Sequence, residues 1–143
     1  MSNSCELCKY DQSTALWQGN KFFVIAVNDE RFPGYTRLIW KEHIAEVTDL
    51  SEQDRTLMWQ ALSLIEQTMR ETMHPTKINL AQLGNMVPHL HWHIIPRYKN
   101  DTHFPESIWG MQQRKLPSET ANRKILAEHF YEKLSEVLAQ KFC

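Results

Sequence analysis

The chain has 143 residues, of which 42% are apolar and 23% charged. That is the length of one domain with an ordinary core that needs no disulfides. Sixteen Lys+Arg against seventeen Asp+Glu leave a net charge of −1, which argues against a general nucleic-acid binder. The only glycines are Gly19, Gly34, Gly84 and Gly110, no two of them close together. A Walker A loop, a G-x-G-x-x-G dinucleotide turn and a G-x-S-x-G nucleophile elbow are therefore excluded. Residues 1–13 are polar and carry no signal-peptide core, and no apolar run is long enough to span a bilayer. Cys5, Cys8 and Cys143 make an odd count, which argues against a disulfide framework and points to the cytoplasm.

In chain order, residues 14–18 and 21–27 read as two strands around a Gly19-Asn20 turn. A polar loop runs to Pro33-Gly34, and residues 35–41 alternate as a third strand. Ser51 with Asp54 resembles a capping pair. The stripe Met58, Leu62, Ile65, Met69 and Met73 then predicts a helix to about Met73, with that stripe in the core. Residues 77–83 read as a fourth strand, Gly84-Asn85 as a turn and residues 89–95 as a fifth strand entered at Pro88. Residues 100–117 are irregular. Ser118 is placed to cap a last helix to Gln140, with Ile125, Phe130, Leu134 and Val137 facing inward. Strands cluster rather than alternate with helices. The expected fold class is thus α+β, a five-stranded antiparallel sheet with helices on one face.

The run Pro88-His89-Leu90-His91-Trp92-His93-Ile94-Ile95-Pro96-Arg97 carries the chemistry. Strand alternation puts His89, His91 and His93 on one face, and Leu90, Trp92 and Ile94 on the core side. A hydrated polar face is the bland reading, disfavoured because three adjacent imidazoles repel when protonated. Metal binding and histidine chemistry are the functional ones. A neutral imidazole is a good nucleophile near pH 7, and a row of three suits phosphoryl or nucleotidyl transfer. Arg97 shares the alternation. It reads equally as a phosphate contact or as a salt-bridged strand end.

Cys5-Glu6-Leu7-Cys8 is a C-x-x-C. A redox motif should open a helix in a βαβ unit, which is missing here. The other readings are two free thiols and half of a tetrahedral Zn²⁺ site, which two imidazoles would complete.

The triad His89-Leu90-His91-Trp92-His93-Ile94-Ile95 resembles the His-φ-His-φ-His-φ-φ mark of the histidine triad (HIT) family at every position. The resemblance spans about residues 5–97. It makes residues 98–143 a helical extension of a single domain covering residues 1–143. It implies hydrolysis or transfer at the α-phosphate of dinucleoside polyphosphates or nucleoside phosphoramidates, in a homodimer and with no cofactor needed for catalysis. It makes His91 the nucleophile that forms a nucleotidyl intermediate. His89 would orient it from behind, and His93 would contact phosphate oxygens. Asn85 stands where the family often has a Gln near the phosphate. Asn28 resembles the ribose-binding position, and Asn79 a polar position supporting the site. His43 resembles the Lys-x-His of zinc-binding members, whose structural zinc would here take Cys5, Cys8, His43 and His89. One departure is clear: Pro33-Gly34-Tyr35 stands where the family reads Pro-Gly-His. Tyrosine donates a hydrogen bond but carries no positive charge at neutral pH. Two alternatives to the hydrolase follow: a nucleotide-binding sensor with weak turnover, and a nucleotidyl transferase using an acceptor other than water. A third is a zinc module whose histidines only fold the chain.

Overall fold

The computed structural model describes residues 4–142; Met1, Ser2, Asn3 and Cys143 lie outside the described residues. The strands are β1 (Trp17–Gln18), β2 (Phe22–Ala26), β3 (Thr36–Trp40), β4 (Lys77–Ala81) and β5 (His91–Arg97), and the helices α1 (Glu52–Met73) and α2 (Thr120–Lys141). The sheet order is β1-β2-β3-β5-β4, antiparallel throughout. The expected α+β architecture is therefore borne out. Among the described residues, no helix is long and apolar enough to cross a membrane.

The sheet has two faces with different jobs. On one, Phe22, Val24, Leu38, Trp40, Leu90 and Ile94 pack against both helices. The α1 stripe Met58, Leu62, Ile65, Met69 and Met73 is no more than 1% exposed. Each such side chain contributes about 1.5–3 kcal/mol of burial free energy. Ser51 caps α1 as expected, its hydroxyl accepting from the Asp54 amide at 3.1 Å. His74 ends the helix in the left-handed region at φ 49°. On the other face stand Tyr35, Arg37, His91 and His93, set side by side by the β3–β5 register of Arg37 with His93 and Ile39 with His91.

Four expectations are corrected. The first strand is shorter than residues 14–18, because Asp11 caps a 3₁₀ turn over Gln12–Thr14 instead. The fifth strand begins at His91, not His89, and runs through Pro96 to Arg97. Past Ile94 only β4 lies alongside it, the edge-like setting in which a strand proline is tolerated. Ser118 does not cap α2: its hydroxyl meets Glu119, and the Thr120 hydroxyl donates to the Pro117 carbonyl. On α2, Phe130 and Leu134 are buried and Val137 packs beside them, but Ile125 is 54% exposed.

Gly34 is required where it stands. Its φ is +92°, and a β-carbon there would lie 2.4 Å from the Met73 sulfur. Pro33-Gly34 thus turns the chain tightly against the end of α1 and delivers Tyr35 into the sheet.

Candidate active site

His91 opens β5 and is 8% exposed. Its Nδ1 lies 2.6 Å from the main-chain carbonyl of His89. A carbonyl only accepts, so Nδ1 carries the proton and Nε2 keeps a free lone pair. Burial lowers the His91 pKa, the carbonyl bond opposes that, and the Arg37 charge lowers it further. A neutral imidazole with one fixed tautomer and an unprotonated Nε2 is the form a nucleophile needs. The ring of His89 takes no part in this bond. It was expected to orient His91, and it is the peptide carbonyl of the same residue that does so.

His93 stands two residues on, its ring centroid 5.0 Å from that of His91. Burial, with the Arg37 and His91 charges, pulls its pKa down to about 4. Its Nδ1 lies 2.7 Å from the Tyr35 hydroxyl. Arg37 Nη2 donates to that same oxygen at 3.5 Å, so the phenol hydrogen is free to point at His93. His93 then carries its proton on Nε2. Trp109 sets its indole edge-on to His93 at 4.9 Å between centroids and is half exposed.

The second cluster joins Cys5, Cys8, His43 and His89. Cys5 Sγ and Cys8 Sγ lie 3.5 and 3.4 Å from His89 Nδ1. His43 Nδ1 lies 3.3 Å from Cys8 Sγ and 3.1 Å from His89 Nδ1. All four ligand atoms fall within 4.8 Å of one another. Tetrahedral zinc, with bonds of about 2.0–2.1 Å to nitrogen and 2.3 Å to sulfur, would separate its ligands by roughly 3.3–3.8 Å. The donor set and its spacing therefore fit a metal ion. His89 Nε2 donates to the Trp40 carbonyl, which leaves Nδ1 bare toward the cluster, as a ligand must be.

Residues 9–100 match the HIT domain family. The chain belongs to the HIT family. A histidine triad protein from Marinobacter aquaeolei VT8 is 30% identical at TM-score 0.66, over 84% of this chain and 89% of that one. One from Bradyrhizobium japonicum is 25% identical at TM-score 0.68, over 83% and 87%. A zinc-bound HIT protein from Mycobacterium smegmatis has the same fold at TM-score 0.65 and 20% identity, over 98% and 99%. No curated protein matches the chain.

The remaining sequence-derived candidates of this HIT domain separate in space. Arg97 is 2% exposed and fully engaged. It meets both Asp101 oxygens at 2.9 and 3.1 Å, Asn79 Oδ1 at 2.9 Å and the Glu106 carbonyl at 2.8 Å. Of its two readings, the geometry is that of the salt-bridged strand end, and Asn79 supports Arg97 rather than touching the triad. Asn85 is exposed on the β4–β5 loop. Asn28 is exposed after β2 and lines a groove with Pro33, Gly34, Lys124 and Tyr131, which no triad histidine lines. Sequence reasoning passed over Arg37 and Asp101. The signal for Arg37 was its place in the Tyr35, Arg37, Ile39 alternation. Asp101, in an irregular stretch, gave none.

Asp101 holds the 98–117 loop in shape. Burial opposes its ionisation, but Arg97 and the amides of Tyr98, His103 and Phe104 outweigh that and lower its pKa. A depressed carboxyl stabilises the fold above its unfolded pKa and loses that contribution as pH falls through the folded value. Asp101→Asn strands the buried guanidinium, so we expect urea denaturation at pH 7 to show a loss of about 3–5 kcal/mol. The gap between variant and wild type should narrow as the acid limb is approached.

Proposed function

We propose that this HIT protein is a nucleotide hydrolase that cleaves at the α-phosphate through a nucleotidyl-histidine intermediate on His91. The observation that carries the reading is the 2.6 Å bond from His91 Nδ1 to the His89 carbonyl, which leaves Nε2 free on a neutral ring. Nε2 attacks the α-phosphorus and the bond to the leaving group breaks. The positive charge that develops on the imidazole is held by the carbonyl already bonded to Nδ1. Water then cleaves the P–N bond, releases the nucleoside monophosphate and restores His91. His93, carrying its proton on Nε2, donates to a phosphoryl oxygen. Asn28 and Asn85, exposed on the loops after β2 and β4 and apart from the triad, would meet only parts of the nucleotide that extend beyond the α-phosphate. Dinucleoside polyphosphates and nucleoside phosphoramidates are the substrate classes. A transferase would follow the same first step, with another acceptor replacing water.

We further propose that Cys5, Cys8, His43 and His89 hold a structural zinc ion. When bound, the ion would cross-link the N-terminal segment to the turn before β5. Exposed Leu80 on the edge strand β4, exposed Leu83 and Met86 after it, and exposed Trp59, which sits edge-on to Trp92, support the homodimer reading.

Three outcomes follow. His91→Ala should lower AMP release from diadenosine tetraphosphate by at least about 10³-fold, the scale of losing a nucleophile. Acid-quenched wild type should carry an adenylyl group that the variant lacks. Wild type that binds AMP without releasing any would leave the sensor reading in its place. Protein purified without added metal should contain about one zinc per chain, as the four-ligand set requires, and Cys5→Ser with Cys8→Ser should abolish it. Zinc-free wild type with freely alkylated thiols would count against the site. Light scattering should give twice the chain mass, and a monomer at working concentration would remove the dimer.

A further inference from the structure

Two arginines share the triad face of the sheet, and their surroundings are opposite. Arg97 spends its guanidinium on Asp101, Asn79 and a carbonyl. Arg37 has no carboxylate within 4.0 Å among the described residues. Its Nε is buried without any hydrogen-bond partner. Its contacts are a long bond to the Tyr35 hydroxyl, at 3.5 Å, and the Tyr35 ring, whose centroid lies 5.6 Å from Cζ. Cross-strand register places it directly beside His93 and diagonal to His91. A half-buried cation lacking a counter-charge is costly to fold. It is a binding group for an anion that arrives with the substrate.

We propose that Arg37 binds the polyphosphate leaving group, and that it makes phosphoanhydrides such as dinucleoside polyphosphates the preferred substrate class over phosphoramidates. The inference rests on the α-phosphate reading of His91 given above. The two classes differ in what departs. In a phosphoanhydride, His91 Nε2 forms its bond to the α-phosphorus while the bond from phosphorus to the bridging oxygen breaks. The electron pair stays on that oxygen, so the departing polyphosphate gains one negative charge and needs no proton. A fixed guanidinium stabilises that growing charge. In a phosphoramidate the P–N bond breaks, and the departing nitrogen must take up a proton. This site is poor in groups acidic enough to give one up. Tyr35 offers only a phenol, whose pKa burial raises, and His93 is neutral at pH 7. The weak acid at Tyr35 and the unpaired cation at Arg37 favour the same leaving group.

The test measures kcat/KM for diadenosine tetraphosphate and for adenosine 5′-phosphoramidate with wild type, Arg37→Met and Arg37→Lys, thermal melts serving as the folding control. Wild type should favour the tetraphosphate. Arg37→Met should lose about 10²–10³-fold on it, the scale of removing one preorganised charge-stabilising donor, and little on the phosphoramidate. Arg37→Lys keeps the charge but not the planar fork, and should show a smaller loss with the same selectivity. It carries the test alone if the methionine variant fails to fold. Equal losses on both substrates, or a wild-type preference for the phosphoramidate, would overturn the inference while leaving the His91 reading intact. Turnover of neither compound by wild type would overturn both.

Discussion

One residue, His89, joins the two halves of the site. Its ring is held by the Trp40 carbonyl at Nε2 and turns Nδ1 to Cys5, Cys8 and His43. Its own carbonyl fixes the tautomer of His91. Both bonds therefore hang on the placement of one residue. His89 is 1% exposed and sits just before β5, where the chain has no ladder on both sides to hold it. The N-terminal segment supplies the missing restraint. A segment otherwise peripheral to the domain thus packs against the residue whose carbonyl fixes the His91 tautomer.

The sheet does the rest by register. Antiparallel pairing of β3 with β5 makes Arg37 and His93 neighbours and puts Tyr35 within reach of the same ring. A slip by one residue would turn the triad into the core and its apolar partners outward. The helix-facing side chains forbid that, because Leu38 and Ile94 are fully buried against α1 and α2. The core is therefore what makes the site's register unique. Beyond β5, the Arg97–Asp101 pair shapes the loop that carries Trp109 back to His93. A buried pair of this kind adds little net stability, but it permits few alternatives.

Most of this was legible in the sequence because it is periodic. The α1 stripe, the strand alternations and the triad are local patterns, and the β3 and β5 faces came out as read. The misses share a cause: each depends on a partner distant in sequence or on a single turn. His89 left the strand because its amide is taken up in a turn by Val87 and its ring by the distant Trp40 carbonyl. Ile125 has the spacing of a core residue, but α2 is covered by the sheet and α1 only along its Phe130, Leu134 and Leu138 side. Arg97 and Arg37 are indistinguishable as letters on a strand. What separates them is Asp101, four residues after one of them and absent beside the other.

That difference shows how the site's charge is arranged. The three triad positions lie in a buried region where an imidazolium is disfavoured, and burial lowers the pKa of His89, His91 and His93 alike. Arg37 pushes His91 and His93 in the same direction. An unpaired arginine beside two histidines would be a liability if those rings had to be charged at rest. It is an asset if they must be neutral: one to present a lone pair, the other to offer a hydrogen bond. Burial does most to keep those rings neutral and the Arg37 charge adds to it, so on the proposed reading the same guanidinium can meet the substrate anion without a charged imidazole competing beside it.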